Sequence, residues 1–497
     1  MLFNSWHYLV FFPVVCLVYF SIPNFCRWAF LLAASYFFYA CWRWDYLFLI
    51  IISTLIDYCC GLKMGAEPDK GKRLKFLIIS LCGNLLLLFT FKYFNFFNSI
   101  AQKITRFYNI PYGIPDLDFL LPVGISFYTF QTLSYTIEVY RGRQEPEKHL
   151  GMFALYVSFF PQLVAGPIER SINLLPQFKK KFNFDYERFA TGIQLIFWGL
   201  FKKVVIADRL SSYVQIVYGN QSYFSGPQLF LATFFFAFQI YCDFSGYSDI
   251  AIGSARILGF DLMENFNLPY FAISIKDFWD RWHISLSTWF RDYLYISLGG
   301  NRVSYGRNIF NLFVVFILSG LWHGANFTFI VWGIIHGFFL FFERTTASFF
   351  SRISNFLKFN LIPGFTFLLK WSYTFLVVLS SWIFFRAASV SEACQITGKI
   401  FDPVHWRYFI SMDDWWNHLK ISSSTDTFLG LIHYVPLNLI LIGFLVIIQL
   451  LQYRYGSLIE KLRTCPWWFR WFCYYAGVLT IMTLGVFKQS QFIYFQF

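Results

Sequence analysis

Long apolar segments separated by short polar loops dominate the hydropathy pattern of the 497-residue chain. Clear examples lie at 76–96, 229–241, 365–385 and 435–451. Several approach the roughly 20 residues that an α-helix needs to cross the hydrocarbon core of a bilayer. Lipid offers no partner to backbone polar groups, so helices are the stable way to cross it, and the alternating pattern of a membrane β-barrel is absent. The pattern therefore predicts an all-α, polytopic membrane protein.

Roughly 11 to 13 membrane-spanning helices are expected, together with re-entrant and interfacial helices. No linker is long enough to separate two soluble domains, so residues 1–497 are predicted to form one integral membrane domain. The N-terminus lacks a basic region and an obvious cleavage site, so we expect no removable signal peptide and place the first membrane helix at 4–22. The predicted helical segments are 6–22, 28–41, 45–62, 76–98, 118–140, 150–166, 187–207, 226–247, 308–322, 326–343, 365–386, 434–453 and 470–487.

Two basic loops flank a single apolar segment, which creates a conflict of topology. Residues 141–148 and 170–181 are both basic, and short basic loops favour the cytoplasm. A complete crossing by the segment between them would place one loop outside. We therefore predict a re-entrant or shallow segment at 150–168, helped by Pro161 and Pro167. Such backbone is stable at membrane depth only where protein or a watery cavity lines it.

The composition agrees with a membrane protein. Hydrophobic residues make up 57% of the chain and charged residues 13%, about half the share of a soluble domain. The net charge of +13 follows from basic residues in short loops, as the positive-inside rule predicts for the cytoplasmic side. Too little of the chain lies outside the membrane to form a basic binding surface for nucleic acid, so we do not expect nucleic acid as a partner. The basic loop residues are Lys70, Lys72, Arg73, Lys75, Arg141, Arg143, Lys148, Lys179, Lys180 and Lys181.

Two further features are interpreted as structural. The ten cysteines are scattered, mostly within apolar runs, and show no metal-ligand spacing, so no metal site is expected. The polar stretch 389–424 is predicted to be an extracytoplasmic loop with short helices, in which Trp415 and Trp416 anchor at the interface. This interpretation is favoured over a second active site built from the polar residues Asp413, Asp414 and His418.

Residues 274–295 carry too many charges for a lipid-exposed span. On a helical wheel the polar residues Lys276, Asp280, His283, Ser287 and Arg291 share one face. The opposite face carries Phe278, Trp282, Leu286, Trp289 and Tyr293. One interpretation is an interfacial helix with its aromatic side chains in lipid. The other is a polar stripe that lines a water-filled cavity.

A carboxyl group also falls inside an apolar segment. Gln239, Asp243, Gly246 and Ile250 share one helix face, and Asp243 follows a run of phenylalanines. A carboxyl group at that depth needs a partner or a cavity. The residue either holds helices together or shapes the wall of a cavity.

Two histidines fall within the apolar stretch 319–344. His336 lies between Gly333 and Gly337, which favours close helix packing and an interhelical hydrogen bond. His323 differs, because Gly320 and Gly324 bracket Trp322-His323 and Asn326 follows. This pattern predicts a helix break that lines a cavity. Imidazole, with an ordinary pKa of about 6.5, is suited to accept and return a proton there.

Five motifs carry a family resemblance. They are LPVGISFYTFQTLSYTIEVYRG, FFPQLVAGPI, QIYCDFSGYSDIAIG, KDFWDRWHISLSTWFRDYLYISLGGNR and GLWHGANFTFIVWGIIHG. Together they resemble the membrane-bound O-acyltransferase family, and within it the bacterial alginate O-acetyltransferase branch. The resemblance implies a ring of helices around a central catalytic tunnel, with a core at about 100–390 and C-terminal helices in 389–497. It matches His323 to the signature histidine and His283 to the second polar position.

The resemblance also implies a reaction. An acyl group, expected to be acetyl, passes from cytoplasmic acetyl-CoA to an extracytoplasmic hydroxyl group, as in O-acetylation of an exopolysaccharide such as alginate. The acceptor is a partner acetyltransferase or the polysaccharide itself. The expected location is the bacterial inner membrane, with lipid around the protein and no bound cofactor.

Acyl transfer to a hydroxyl group requires a base and donors for the carbonyl oxyanion. We assign the base to His323 and place His283 on the donor side, where it would orient the thioester or donate to the oxyanion. Asp280 and Asn326 would fix the tautomers of the two rings. Lys276 and Arg291 would meet the phosphates of coenzyme A or phospholipid headgroups. The remaining supporting residues are Asp243, Trp322, Ser287 and His336.

Other functions remain open at this stage. D-alanyl transfer to a cell-wall polymer from a carrier-protein thioester is the alternative within the enzyme class. A transporter of an anionic solute would use the same buried polar groups, although internal repeats and paired broken helices are missing. A scaffold for polymer export is the third alternative. It predicts that both histidines can be replaced without loss of function.

Overall fold

The computed structural model describes residues 1–164, 166–356, 362–407, 426–487 and 492–493. This part of the chain folds into α-helices, interrupted by π turns and by short 3₁₀ turns at Gln221–Tyr223 and Pro269–Phe271. The helices are α1 (Trp6–Ser21), α2 (Asn24–Ala40), α3 (Leu47–Ala66), α4 (Lys70–Phe107), α5 (Ile125–Tyr140), α6 (Leu150–Ser158), α7 (Phe160–Leu163), α8 (Ser171–Phe178), α9 (Tyr186–Gly219), α10 (Gly226–Leu258), α11 (Ile275–Arg281), α12 (Ile284–Trp289), α13 (Tyr305–His323), α14 (Phe327–Phe356), α15 (Pro363–Arg386), α16 (Val390–Phe401), α17 (Pro403–Arg407), α18 (Asp426–Tyr455), α19 (Leu458–Thr464) and α20 (Trp467–Leu484).

Eight helices of the described residues are long and apolar enough to cross a membrane. They are α3, α4, α9, α10, α13, α14, α15 and α18, and α1 is a shorter apolar helix. The prediction of an all-α polytopic membrane protein is therefore confirmed. The number of helices that qualify is below the 11 to 13 expected, because α2 and α5 have only 17 and 16 residues and the 18 residues of α20 are not apolar enough.

Helix α10 is the centre of the packing. Its side chains are almost all buried, and it contacts α1, α7, α9, α15 and α16. Glycines allow α9 to approach it closely. A Cβ atom on Gly199 would lie 2.5 Å from the carbonyl oxygen of Gly246, and one on Gly246 would lie 2.7 Å from that of Gly199. Small residues at such crossings are typical of membrane helices. In lipid there is no hydrophobic driving force between helices, so close van der Waals packing must hold them together.

The segment predicted to be re-entrant forms two short helices, α6 and α7. Side chains from Phe153 to Val164 are buried by neighbouring helices. At 1.5 Å per residue, α6 is far too short to cross a bilayer of about 30 Å. A short, protein-lined segment of this kind is what the re-entrant or shallow interpretation requires.

The polar stretch 389–424 begins with two short helices, α16 and α17. The side chain of Ser389 caps α16 by accepting a hydrogen bond from the backbone N–H of Glu392 at 3.1 Å. The predicted interface anchors Trp415 and Trp416, and the polar residues around them, lie outside the described residues. The placement of this loop outside the cytoplasm stays a prediction.

Candidate active site

His323 is the last residue of α13. The backbone leaves the helix at Gly324, which is extended, and α14 begins three residues later at Phe327. The predicted helix break is therefore present. The two helices return against each other so closely that a Cβ atom on Gly320 would overlap the carbonyl group of Phe329. The hairpin holds the His323 side chain, which is 2% exposed, among aromatic rings.

His283 lies at a second break, between α11 and α12. Its backbone is left-handed, with φ 43° and ψ 54°. Positive φ is uncommon outside glycine. Such strain persists where the surrounding structure enforces it, often at functional sites. The His283 side chain is completely buried.

The two breaks bring the two histidines together. The ring centroids of His283 and His323 are 6.4 Å apart. Trp322 contacts both rings edge-on, with centroid distances of 5.7 Å to His283 and 5.1 Å to His323. The fold thus brings the candidate residues His323, His283 and Trp322 together.

Asn265, which the sequence analysis did not select, orients His283. Its Oδ1 atom lies 3.1 Å from Nδ1 of His283 and accepts a hydrogen bond of 2.9 Å from the Ser285 hydroxyl. The backbone N–H of Ser285 also points at this atom, at 3.3 Å. A backbone N–H can only donate, so the atom is the amide oxygen. Nδ1 of the neutral ring then carries the proton, which leaves Nε2 of His283 as an acceptor.

His336 has the interhelical role expected of it. The indole N–H of Trp279 donates to Nδ1 of His336 at 3.3 Å, and Nε2 lies 3.0 Å from the hydroxyl of Ser381 on α15. Indole is only a donor, so Nε2 is the protonated nitrogen and donates to Ser381. His336 therefore links α11, α14 and α15 behind the histidine pair.

Two cavities lie along α13, one beside residues 312–319 and one at its C-terminal end. A large cavity of about 1480 Å³ is bounded by α11, α12, α13, α14 and α15 and reaches Ser319, one helical turn before His323. A small pocket of about 30 Å³ is lined by His323 and Trp322 together with Lys92, Ser126 and neighbouring residues of 121–127. This volume is enough for at least one water molecule. The small pocket opens on His323 itself, and the large one stops short of it.

The polar stripe predicted for 274–295 is only partly correct. Lys276, Asp280, Ser287 and Arg291 line the large cavity. His283 does not share their face, because the segment is not one helix. Helix α11 ends at Arg281, and the left-handed turn at His283 directs that side chain into the protein. The prediction of five residues on one helix face was wrong at His283.

The interfacial-helix interpretation of the same segment was also wrong. Its aromatic and aliphatic side chains are buried by protein rather than placed in lipid. Trp282 is completely buried, and its ring packs against Trp382 at 5.1 Å between centroids. The other buried members of that face are Phe278, Leu286, Trp289 and Tyr293. A segment buried on one side and open to a cavity on the other belongs to the core of the domain.

The assignment of Asp280 and Asn326 to ring orientation needs correction. The Asp280 side chain is 61% exposed and pairs with Lys276 at 2.6 Å. The amide of Asn326 donates to the carbonyl oxygen of Ala388 and accepts from the backbone N–H of Thr328. Asp280 therefore belongs to the rim of the cavity and Asn326 to the start of α14. Asn265 is the residue that orients a histidine.

Asp243 is a buried ion-pair residue. Its carboxylate lies 2.6 Å from the ammonium of Lys203, which also contacts Asp208 at 2.8 Å. Its second oxygen accepts a hydrogen bond of 2.7 Å from the backbone N–H of Ile493. Of the two roles considered, the structure supports helix packing and not a cavity wall. Asp243 joins α9, α10 and residue 493.

Three tryptophans close to the site carry a buried indole N–H without an acceptor among the described residues. They are Trp282, Trp332 and Trp382. Trp332 is the one that touches His323, with ring centroids 5.1 Å apart and rings nearly perpendicular. A buried N–H without a partner is rare and requires an explanation. No group of three or more metal-binding side chains occurs in the residues that the structure describes.

Paired histidines inside a polytopic helical domain define an integral membrane protein with a candidate acid–base site. A family model for membrane-bound O-acyltransferases matches residues 149–382. The chain belongs to this family. It is 42% identical over 410 residues to the "Probable alginate O-acetylase AlgI" of Pseudomonas aeruginosa, covering 82% of this chain and 76% of that protein.

Two other relatives are named for different acceptors. The chain is 36% identical over 431 residues to the peptidoglycan O-acetyltransferase of Helicobacter pylori, covering 80% of this chain and 79% of that protein. It is 31% identical to the teichoic acid D-alanyltransferase of Bacillus subtilis, but only over 43% of this chain and 56% of that protein. The protein is a multi-pass membrane O-acyltransferase, similar to O-acetylases over most of its length.

Proposed function

We propose that this protein transfers an acetyl group from cytoplasmic acetyl-CoA to a hydroxyl group of an extracytoplasmic polysaccharide or of a partner acetyltransferase. The single observation that carries the proposal is the pair of imidazole rings 6.4 Å apart, with His323 lining a pocket large enough for a hydroxyl group or a water molecule. The protein would act in the bacterial inner membrane, because its donor and acceptor lie on opposite sides.

The large cavity is the donor side of the proposed reaction. Its lining is mostly apolar, and it carries the basic residues Lys276, Arg291, Arg344 and Lys370. Arg291 is bound to Asp292 at 2.8 Å, and its side chain is 61% exposed. Basic groups around an apolar cavity fit a thioester whose phosphates remain near water and whose acyl end enters the protein.

The chemistry follows from the two rings. His323 takes the proton of the acceptor hydroxyl as its oxygen attacks the thioester carbonyl carbon. The C–S bond breaks, the sulfur leaves and receives a proton, and the products are an ester and free coenzyme A. Positioned proton transfer of this kind typically contributes roughly 10²–10⁴-fold to the rate.

His283 has a narrower role than the sequence suggested. Since Asn265 holds the proton on Nδ1, the neutral ring presents an acceptor at Nε2 and cannot donate to the oxyanion from that atom. His283 therefore orients the reacting groups as an acceptor on the donor side. The indole N–H of Trp332, buried beside His323 and without an acceptor among the described residues, is the donor that we assign to the carbonyl oxyanion.

The proposed transfer of acetyl rather than D-alanyl groups is inferred from the proteins to which the chain is similar. O-acetylases that are named for alginate and peptidoglycan match about four-fifths of the chain, whereas the D-alanyltransferases match 43%. Acetyl transfer is therefore favoured over D-alanyl transfer, and no observation favours a transporter or a scaffold.

The test uses purified protein in liposomes with radiolabelled acetyl-CoA on one side and a soluble polysaccharide acceptor on the other. Label on the acceptor, lost in His323→Ala, supports the proposal. Label on the acceptor at wild-type level in His323→Ala contradicts the assignment of the base. Transfer from a D-alanyl carrier protein, and none from acetyl-CoA, contradicts the assignment of the donor.

A further inference from the structure

The apolar helix α4 contains a π turn at Phe89–Tyr93, and this turn carries Lys92. Placing a lysine inside a membrane helix costs free energy, so such a residue is a candidate for a functional role. π turns are rare and frequently occur at functional sites. Both features meet where α4 passes the end of α13.

The contacts of the turn are to the backbone that carries His323. The ammonium of Lys92 donates to the carbonyl oxygens of Trp322 at 2.7 Å and of His323 at 3.1 Å. Tyr93 donates its hydroxyl proton to the carbonyl oxygen of Leu321 at 2.9 Å. The last carbonyl groups of a helix have no partner within it. Two adjacent side chains of α4 therefore satisfy three consecutive carbonyl groups at the end of α13.

The π turn explains how two adjacent residues reach one target. Consecutive side chains on an α-helix diverge by about 100°, because each turn holds 3.6 residues. A π turn holds more residues, so neighbouring side chains diverge less. This smaller divergence helps the side chains of Lys92 and Tyr93 to reach the same helix end, as their hydrogen bonds show. The positive charge also lies at a helix C-terminus, where the helix dipole favours it.

Lys92 lines the small pocket beside His323, so a direct role in substrate binding must be considered. An ammonium group has three N–H donors. Two of these N–H groups donate to the carbonyl oxygens of Trp322 and His323, and the third can donate to the Ser126 hydroxyl, which lies 3.4 Å from the nitrogen. All three donors thus have protein acceptors, which favours a role in holding the protein rather than the substrate.

We propose that Lys92 is a positioning residue. Together with Tyr93, it fixes the C-terminal turn of α13 and thereby the direction of the His323 imidazole toward the pocket. The proposal rests on the catalytic role proposed for His323. It adds that the π turn of α4 is part of the active-site framework.

The kinetic test compares Lys92→Met, which keeps the length of the side chain, with Lys92→Arg, which keeps charge and donors. Displacing a catalytic group by about 1 Å costs roughly 100-fold in rate. We expect Lys92→Met to lose about that factor in kcat with KM for acetyl-CoA and acceptor unchanged, and Lys92→Arg to recover part of it. Tyr93→Phe removes only the hydrogen bond to the carbonyl oxygen of Leu321, so its kcat should fall less than that of Lys92→Met.

The chain offers a matched control in Lys399. Its ammonium also donates to three backbone carbonyl oxygens, those of Gln221, Ser222 and Phe224, at 2.9 Å, 3.0 Å and 3.3 Å. Lys399→Met removes the same kind of contact from a turn that does not carry His323. We expect it to leave kcat at the wild-type value, even where the thermal midpoint falls.

A second measurement is independent of turnover. Hydrogen–deuterium exchange of peptides covering 319–326 should be faster in Lys92→Met than in wild type and unchanged in Lys399→Met. Wild-type kcat in Lys92→Met, a rise in KM alone, or unchanged exchange at 319–326 overturns the positioning role. If wild-type protein does not use acetyl-CoA, the proposed donor is wrong, and the exchange experiment still decides whether Lys92 holds this turn.

Discussion

The imidazole of His283 is held by the side-chain amide of Asn265, 3.1 Å away, and both residues are buried. The same amide oxygen accepts a hydrogen bond from the Ser285 hydroxyl and lies 3.3 Å from the backbone N–H of Ser285. These contacts attach the segment 283–285 to the loop that follows α10. The backbone N–H of Ile284 donates to the carbonyl oxygen of Asn265 at 2.9 Å. This double attachment stabilises the left-handed turn that directs His283 toward His323.

Asn265→Leu should impair catalysis more than folding. The change keeps the volume but removes the acceptor for Nδ1 of His283, so the ring loses its preferred tautomer and orientation. We expect kcat to fall by up to roughly 100-fold. Asn265→Asp retains an acceptor oxygen and should keep more activity than Asn265→Leu. Equal activity in the two variants would contradict the orienting role.

His323→Gln should abolish acetyl transfer. Glutamine keeps a polar group of similar reach but cannot shuttle a proton, so a loss of roughly 10²–10⁴-fold is expected. Membrane insertion and the yield of folded protein, followed by size-exclusion chromatography in detergent, should stay unchanged. His149→Gln, at the exposed start of α6, is the control and should behave as wild type.

Trp332→Phe tests the proposed oxyanion donor. The variant keeps an aromatic ring against His323 and removes the indole N–H, so kcat should fall while KM for acetyl-CoA stays constant. Trp382→Phe is the matched control, because Trp382 is equally buried and also has an indole N–H without an acceptor among the described residues. A similar fall in kcat in both variants would assign the effect to packing.

Lys276→Gln and Arg291→Gln should raise KM for acetyl-CoA without lowering kcat. Both side chains are largely exposed, so each contact is screened by water, and we expect an increase of about two- to fivefold that fades at high salt. Lys72→Gln, in the first turn of α4 and not among the residues that line the cavity, should leave KM unchanged. Salt-independent KM values in wild type would argue against phosphate contacts at these residues.

Asp243→Ala should destabilise the protein rather than affect a single kinetic step. Removing one partner of a buried ion pair leaves a charge in a low-dielectric interior, which typically costs about 3–5 kcal/mol. Asp208 still faces Lys203, so the loss should lie at or below the lower end of that range. The thermal midpoint in detergent reports it, and Asp45→Ala, which breaks an exposed pair with Arg43, should leave the midpoint unchanged.

Local patterns predicted much of the site. The glycines around Trp322-His323 indicated the break that the structure has at Gly324, and those around His336 indicated its close helix packing. Lys92 also had a local signal, since it is a single charge in the apolar segment 76–98, but it was not selected. Asn265 had none, because its role depends on contact with a segment that is distant in sequence.

The sequence alone determined the class of protein and the position of most helices, because the cost of exposing backbone and polar groups to lipid acts on each segment separately. It also pointed to His283 and His323 as the candidate catalytic pair, through the motifs around them. Only the tertiary structure decided that 274–295 breaks at His283, where no glycine or proline marks a break. Only packing of one segment against another sets the 6.4 Å distance between the rings, the attachment of His283 to Asn265 and that of the α13 end to Lys92. Such contacts join residues far apart in the chain, and hydropathy carries no information on them.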